Sequence, residues 1–229
     1  MSAMNQHTDT ELPNRQVASG SNEALLKCQR CPALRRQFKG LRQRYPDYWN
    51  KPVPAVELTD TDILIIGLAP GLHGANRTGI PFEGDASSKF LRSVLEQLNL
   101  IEKVSITNVL KCLPEQNKPK TDELKRCERF FLPEIEAFKA RPNGVLFALG
   151  RVAHERIIRA LGLRQKDYPF VHARAHRLDK EHWLVDSYHS SRYNTQTGRL
   201  TEAMLITAVE TAARLVKLLL SIALRLLKT

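Results

Sequence analysis

The 229-residue sequence predicts an α/β protein, a three-layer α/β/α sandwich around a mostly parallel central sheet. Three observations carry that expectation. Apolar runs such as Ile63-Leu64-Ile65-Ile66 are too continuous for half-exposed strands and suit strands covered on both faces. Amphipathic helical stretches alternate with these runs, and the loops between them are of moderate length. With 42% hydrophobic residues the chain can fill one ordinary core, so a single domain is expected over 22–229, with an N-terminal cysteine-containing layer.

Residues 1–21 are polar, with scattered apolar side chains, and read as a disordered tail. From Asn22, short helical patterns broken by Pro32 and Pro46 lead into Lys51-Pro-Val-Pro-Ala-Val-Glu57, which carries the chain extended toward the core. This layer holds Arg30, Arg35, Arg36, Lys39, Arg42 and Arg44, either a solvated face or a phosphate-facing surface. The first strand is DILIIGLAP. Ser87 can cap the next helix, whose stripe is Phe90, Leu91, Val94, Leu95 and Leu98. A second strand, VSITNV, starts at Val104. Thr121, with Asp122 and Glu123 in its first turn, opens a helix with Leu124, Cys127, Phe131, Ile135 and Phe138 on one side, ended by Pro142-Asn143-Gly144. A third strand, VLFALG, runs from Val145, followed by the helix RVAHERIIRALG, the strand HWLVDSYH and a long helix from near Thr201. The apolar segment LVKLLLSIALRLL in that helix is too short to span a bilayer and reads as packed into the domain.

Lys plus Arg number 35 against 24 Asp plus Glu, a net +11 with a pI near 9.7, which favours a polyanionic partner. The N-terminal MSAMNQHTDTELPNRQ has neither a basic start nor an apolar core, and no membrane partner is expected. A cytoplasmic, nucleoid-associated monomer is the expectation. In such a reducing compartment the four cysteines suit free thiols or metal ligands better than disulfides.

In an open α/β sheet, ligands bind at the carboxyl ends of the strands, here the loops starting at Gly67, Asn108, Gly150 and His189. Two residues separate Cys28 from Cys31, 80 separate Cys31 from Cys112, and 14 separate Cys112 from Cys127. A close pair with two distant thiols can form a four-sulfur site for zinc or an iron–sulfur cluster, and spacing leaves both open. Four unrelated buried thiols are the competing reading, but Cys28 and Cys31 lie in a polar, basic stretch. The loop from Gly67 to Asp85 lacks both the dinucleotide and the P-loop fingerprint, yet its His73, Asn76, Arg77 and Phe82 suit a flat aromatic ligand. The loop from Ser187 to Gly198 gathers His189, Arg192, Asn194 and Thr195, partners for phosphates and base edges.

GLAPGLHGANRTGIPFEGDAS, CLPEQNKP and HSSRYNTQTGRLT, with the four cysteine positions, resemble the uracil-DNA glycosylase superfamily over residues 25 to 215. The likeness is to its iron–sulfur-containing fourth and fifth families, the fifth most of all. It implies a monofunctional DNA glycosylase that excises uracil and other deaminated bases such as hypoxanthine and xanthine. It also implies a structural [4Fe-4S] cluster on Cys28, Cys31, Cys112 and Cys127, and DNA containing deaminated bases as partner. By the same resemblance, Phe82 stacks on the extruded base and His189 donates to the developing oxyanion. Ala69 occupies a slot that is polar, often acidic, in most of the superfamily, a feature of the fifth family. Asn76 and Asn117 are then the candidates for orienting water, while Asp85 holds its loop by accepting backbone hydrogen bonds. Gly67 and Ala69 border the substrate, Asn108 reads the uracil edge, and Arg192 holds phosphate or fills the duplex gap. Two readings compete: a metal-stabilised nucleic-acid binder, which has no need of His189 and Phe82, and an electron-transfer protein, for which a single cluster is weak support.

Overall fold

The computed structural model describes residues 19–56 and 61–226. Most of the expected tail lies outside these residues; Ser19, Gly20 and Ser21 already open the first helix. In chain order the elements are α1 (Ser19–Leu26), α2 (Pro32–Arg44), β1 (Ile63–Gly67), α3 (Ala75–Thr78), α4 (Ala86–Gln97), β2 (Val104–Asn108), α5 (Thr121–Lys139), β3 (Gly144–Leu149), α6 (Arg151–Ala160), β4 (Ala175–Arg177), β5 (His182–Ser187), α7 (Arg192–Gln196) and α8 (Glu202–Leu226). Short 3-10 turns stand at Ile101–Lys103, Glu115–Asn117 and Gln165–Asp167.

The sheet order is β2-β1-β3-β5-β4. The first four are parallel neighbours, and β4 pairs antiparallel with β5. This α/β fold, with a largely parallel sheet flanked by helices, follows from two-residue alternation. Ile63, Ile65, Ile106, Val145 and Phe147 face α4 and α8, whereas Leu64, Ile66, Leu146, Ala148 and Leu184 face α2, α5 and α6. β1 and β3, buried on both faces, carry apolar residues at consecutive positions, hence their unbroken runs. The Pro-rich segment after α2 is extended as expected: the Val53 N–H donates to the Lys111 carbonyl (2.7 Å), and Val56 bridges Ile106 antiparallel.

Three local expectations are corrected. Asp85, not Ser87, is the N-cap of α4; its Oδ1 accepts from the Ser88 N–H at 2.8 Å, and Ser88 Oγ returns a bond. A carboxylate at that position answers the helix dipole as well as the open N–H groups. The two loops at the carboxyl ends are not wholly irregular, for they contain α3 and α7. The edge strand β4 lies in a stretch without any apolar run and was not anticipated.

From β1 the chain steps to β2 on one side and then crosses back to β3 on the other. Connections therefore diverge between β1 and β3, leaving a crevice at their carboxyl ends.

Candidate active site at the carboxyl ends of the strands

A cavity of about 700 Å³ opens at this crevice, and its walls bring Ala69, Phe82, Asn108, Asn117, His189 and Arg192 together. Gly67 ends β1, in register with Asn108 at the end of β2. It lies beneath the cavity and does not line it. A Cβ at Gly67 would fall 2.4 Å from the Phe82 ring and 2.5 Å from Asn108 Oδ1, so glycine is what lets both side chains lean over the strand end.

Phe82 is held in the left-handed region, φ 51°, with its carbonyl accepting from Arg92 Nε at 2.7 Å. Arg92 is in turn paired with Glu83 at 3.2 Å. The Phe82 and His189 ring centroids are 6.1 Å apart and tilted by 43°, so the two rings form adjoining walls. Asn108 is 3% exposed, and its Oδ1 has no hydrogen-bond partner among the described residues. A buried acceptor without a donor costs free energy that a ligand N–H can recover.

His189 is half-buried. Asn194 Nδ2 donates to its carbonyl at 2.8 Å, and the hydroxyls of the neighbouring Ser190 and of Ser87 lie 2.8 Å apart, tying the loop to the start of α4. Burial pushes the imidazole pKa below its ordinary 6.5, with the Asp85 carboxylate pulling the other way. A neutral imidazole keeps one N–H to offer an anion.

Asn117 is exposed at the rim, in the left-handed region at φ 57°. Arg192 is exposed on the first turn of α7. Beside it stands Tyr193, 70% exposed, which the sequence reading did not single out. Its signal was present, an aromatic in an otherwise polar run. Asn76 is fully buried and is not among the residues lining the cavity, and its Oδ1, like that of Asn108, has no hydrogen-bond partner among the described residues. Its Nδ2 donates to Asn50 Oδ1 at 2.9 Å, and the Asn50 N–H donates to its carbonyl at 3.2 Å. Asp85 likewise spends Oδ1 on capping α4, while Oδ2 sits so close to the loop that a Cβ at Gly74 would be 2.2 Å away.

On the opposite face of the sheet, all four cysteines line a second cavity, of about 600 Å³. Cys28 and Cys31 lie in the α1–α2 connection, Cys112 follows β2, and Cys127 is on α5. All are free thiols. Burial pushes the Cys31, Cys112 and Cys127 thiols up, Cys127 to about 11, and the nearby thiols push Cys112 and Cys127 further. Opposing this, Arg126 hydrogen-bonds Cys31, and the Lys111 N–H donates to Cys127 Sγ at 3.3 Å. Four soft donors around one recess, with hydrogen bonds already aimed at two of them, are the donor chemistry of a thiolate-bound metal group. A tighter grouping, three donors within 4.8 Å of one another, is met among the described residues by His154, His176 and Asp186 and by no set of cysteines. That trio is a hydrogen-bonded clamp. His154 Nδ1 is 2.7 Å from Asp186 Oδ1, its Nε2 is 2.8 Å from the Tyr168 carbonyl, and His176 Nε2 is 3.1 Å from Asp186 Oδ2.

The family profile described as "Uracil DNA glycosylase superfamily" matches residues 54–213. The type-5 uracil-DNA glycosylase of Thermus thermophilus is 38% identical over 211 residues, 84% of this chain and 95% of that protein. The type-5 enzyme of Pyrobaculum aerophilum is 36% identical over 82% of this chain and 89% of its own. A type-4 uracil-DNA glycosylase from Archaeoglobus fulgidus is 34% identical, over 56% of this chain. Among the described residues no helix is long and apolar enough to cross a membrane.

Proposed function

The chain belongs to the uracil-DNA glycosylase superfamily, and from that membership we infer that it hydrolyses the N-glycosidic bond of uracil and other deaminated bases in DNA, initiating base excision repair. The observation that carries the reading is the meeting of Phe82 and His189, distant in sequence, as adjoining walls of one cavity at the strand ends.

The reaction needs the target nucleotide extruded from the duplex into a pocket. Phe82 offers a flat apolar surface on which any base can stack, and Asn108 offers a buried carbonyl oxygen to a base N–H. As the glycosidic bond lengthens, negative charge gathers on the leaving base and positive charge on the sugar. The neutral His189 imidazole donates to the base oxyanion, an interaction that strengthens only as the bond breaks. Ala69 supplies no base for water. Asn117, on the cavity wall, is the amide we assign to orienting the nucleophilic water, since orientation suffices against an electrophilic oxocarbenium-like sugar. Asn76, buried against Asn50, is assigned to holding its loop. Arg192 and Tyr193 face outward at the rim, where they meet phosphate and the gap left in the duplex.

Similarity to type-5 relatives and the four gathered thiols support a [4Fe-4S] cluster held by Cys28, Cys31, Cys112 and Cys127. Thiolates of a bound cluster would join the α1–α2 connection to α5 and so serve folding more than chemistry. The polyanionic partner expected from the charge is DNA, acted on by a cytoplasmic, nucleoid-associated monomer formed by the single domain 22–229. The test is incubation of purified protein with oligonucleotides containing uracil or hypoxanthine, followed by alkaline cleavage. Strand breaks at the modified position are expected, and intact strands with both bases would overturn the reading.

A further inference from the structure

Next to the cavity rim the segment between α2 and β1 builds a recess that the excision chemistry leaves unused. Tyr45 and Tyr48 are stacked, with centroids 4.8 Å apart and planes 20° from parallel. His73 meets both edge-on, at 5.9 and 6.1 Å. Tyr48 Oη and His73 Nδ1 lie 3.0 Å apart. His73 lines the active cavity, and Tyr48 lines an adjoining cleft of about 440 Å³. One hydrogen bond thus spans the step between the two depressions.

The cleft is cationic. Arg42, Lys51 and Arg77 line it against one carboxylate, Asp47. Arg42 Nη1 donates to the Asn50 carbonyl at 3.0 Å, and Arg77 donates through Nε to the His73 carbonyl at 3.0 Å and through Nη2 to the Gly84 carbonyl at 2.9 Å. A guanidinium has five N–H donors, so these bonds fix each group in place without exhausting it. Lys51 is exposed, its ammonium 5.1 Å from the centroid of the Trp49 ring. The basic face continues beyond the cleft: residues 27–51 hold eight cations, Lys27, Arg30, Arg35, Arg36, Lys39, Arg42, Arg44 and Lys51, with Asp47 the single acid.

We infer that this cleft holds a backbone phosphate of the DNA strand flanking the extruded nucleotide, with Tyr48 against the adjacent sugar and base. The inference deepens the glycosylase reading and rests on it. Pre-positioned guanidinium and ammonium groups match a phosphodiester, and an aromatic surface accepts any neighbouring base. A free phosphate would satisfy the same cations. The strand is favoured because the cleft joins the cavity through the Tyr48–His73 bond and six further cations stand on α2 and the connection before it.

The experiment measures binding to duplexes carrying a stable abasic-site analogue, with single phosphates on either side replaced in turn by neutral methylphosphonates. The wild type should lose about five- to tenfold at one flanking position. Lys51→Gln should weaken binding to unmodified DNA by a similar factor, show no further loss at that position, and lower the slope of log K against log salt by about 0.9, one phosphate contact. Losses that multiply at every position, or an unchanged slope, would overturn the assignment. So would inorganic phosphate that binds the wild type and not Lys51→Gln yet leaves DNA binding undisturbed, which marks a small-anion site. Wild-type excision of uracil, read separately, distinguishes failure of the cleft from failure of the glycosylase reading.

Discussion

The Phe82 ring occupies the space that any side chain at residue 67 would need: a Cβ on Gly67 would stand 2.4 Å from Phe82 Cε2. The end of β1 and the stacking surface above it are therefore one packing unit. Gly67→Ala must displace Phe82 or Asn108, at about 1–3 kcal/mol of overpacking. It should weaken binding of an extruded-base analogue while the protein still folds. Unchanged affinity together with an unchanged melting temperature would show that Phe82 has room to move.

His189 has its imidazole pKa lowered below 6.5 by burial, with Asp85 opposing. If the neutral ring is the working form, excision should hold steady from pH 8 downward and fall only as pH drops through that lowered value. Asp85→Asn keeps a capping side chain but removes the opposing charge, so the acid limb should move to still lower pH. His189→Ala should slow single-turnover excision by roughly two to three orders of magnitude, the scale of one lost transition-state donor. Wild-type rates in that variant would end the leaving-group assignment.

Asn108 presents an acceptor without a donor among the described residues. Asn108→Ala should reduce excision of uracil more than of hypoxanthine, whose edge differs, by about 1–3 kcal/mol, the scale of a bidentate base contact. Single-turnover rates on both bases measure this. Equal losses would move Asn108 from reading the base to supporting the loop.

The four cysteines should bring iron and sulfide with the protein when it is purified without oxygen, visible as the broad iron–sulfur absorption. Cys112→Ala should lose most of the folded protein, because the bound group would join the α1–α2 connection to α5. A colourless protein with one zinc per chain would falsify the cluster assignment.

Asp186 lies fully buried between His154 and His176. Burial alone would push its carboxyl up, but hydrogen bonds from His154, His176 and the Val171 N–H outweigh it and hold the pKa below 3.8. A carboxylate with a lowered folded-state pKa stabilises the fold above the ordinary carboxylate range, and that stability is lost as pH falls through the lowered value. Asp186→Asn should cost about 3–5 kcal/mol at neutral pH and flatten the acid side of the stability profile. Denaturant melts at pH 7 and pH 3 test both parts.

Much of the fold was readable because burial on both faces writes itself into consecutive residues: Ile63 to Ile66 and Val145 to Leu149 admit few other placements. The spacing of Leu124, Cys127, Phe131 and Ile135 likewise marks the buried side of α5. β4 was not readable, since Ala175-His176-Arg177 has no pattern of its own and is a strand because β5 offers it partners. The helices α3 and α7 are too short to leave a periodic signal.

By itself, then, the sequence determined the layered architecture, the basic character, the four thiols and the two loops that hold Phe82 and His189, because each is a property of neighbouring residues or of composition. Only the tertiary structure decided which polar groups reach the cavity. Asn117 lines it and Asn76 is sealed against Asn50, although both are amides in glycine- or proline-containing loops. It also decided that Tyr193 stands in solvent. The physical reason is that a side chain's surroundings are set by elements far away in the chain, whose packing no local pattern encodes.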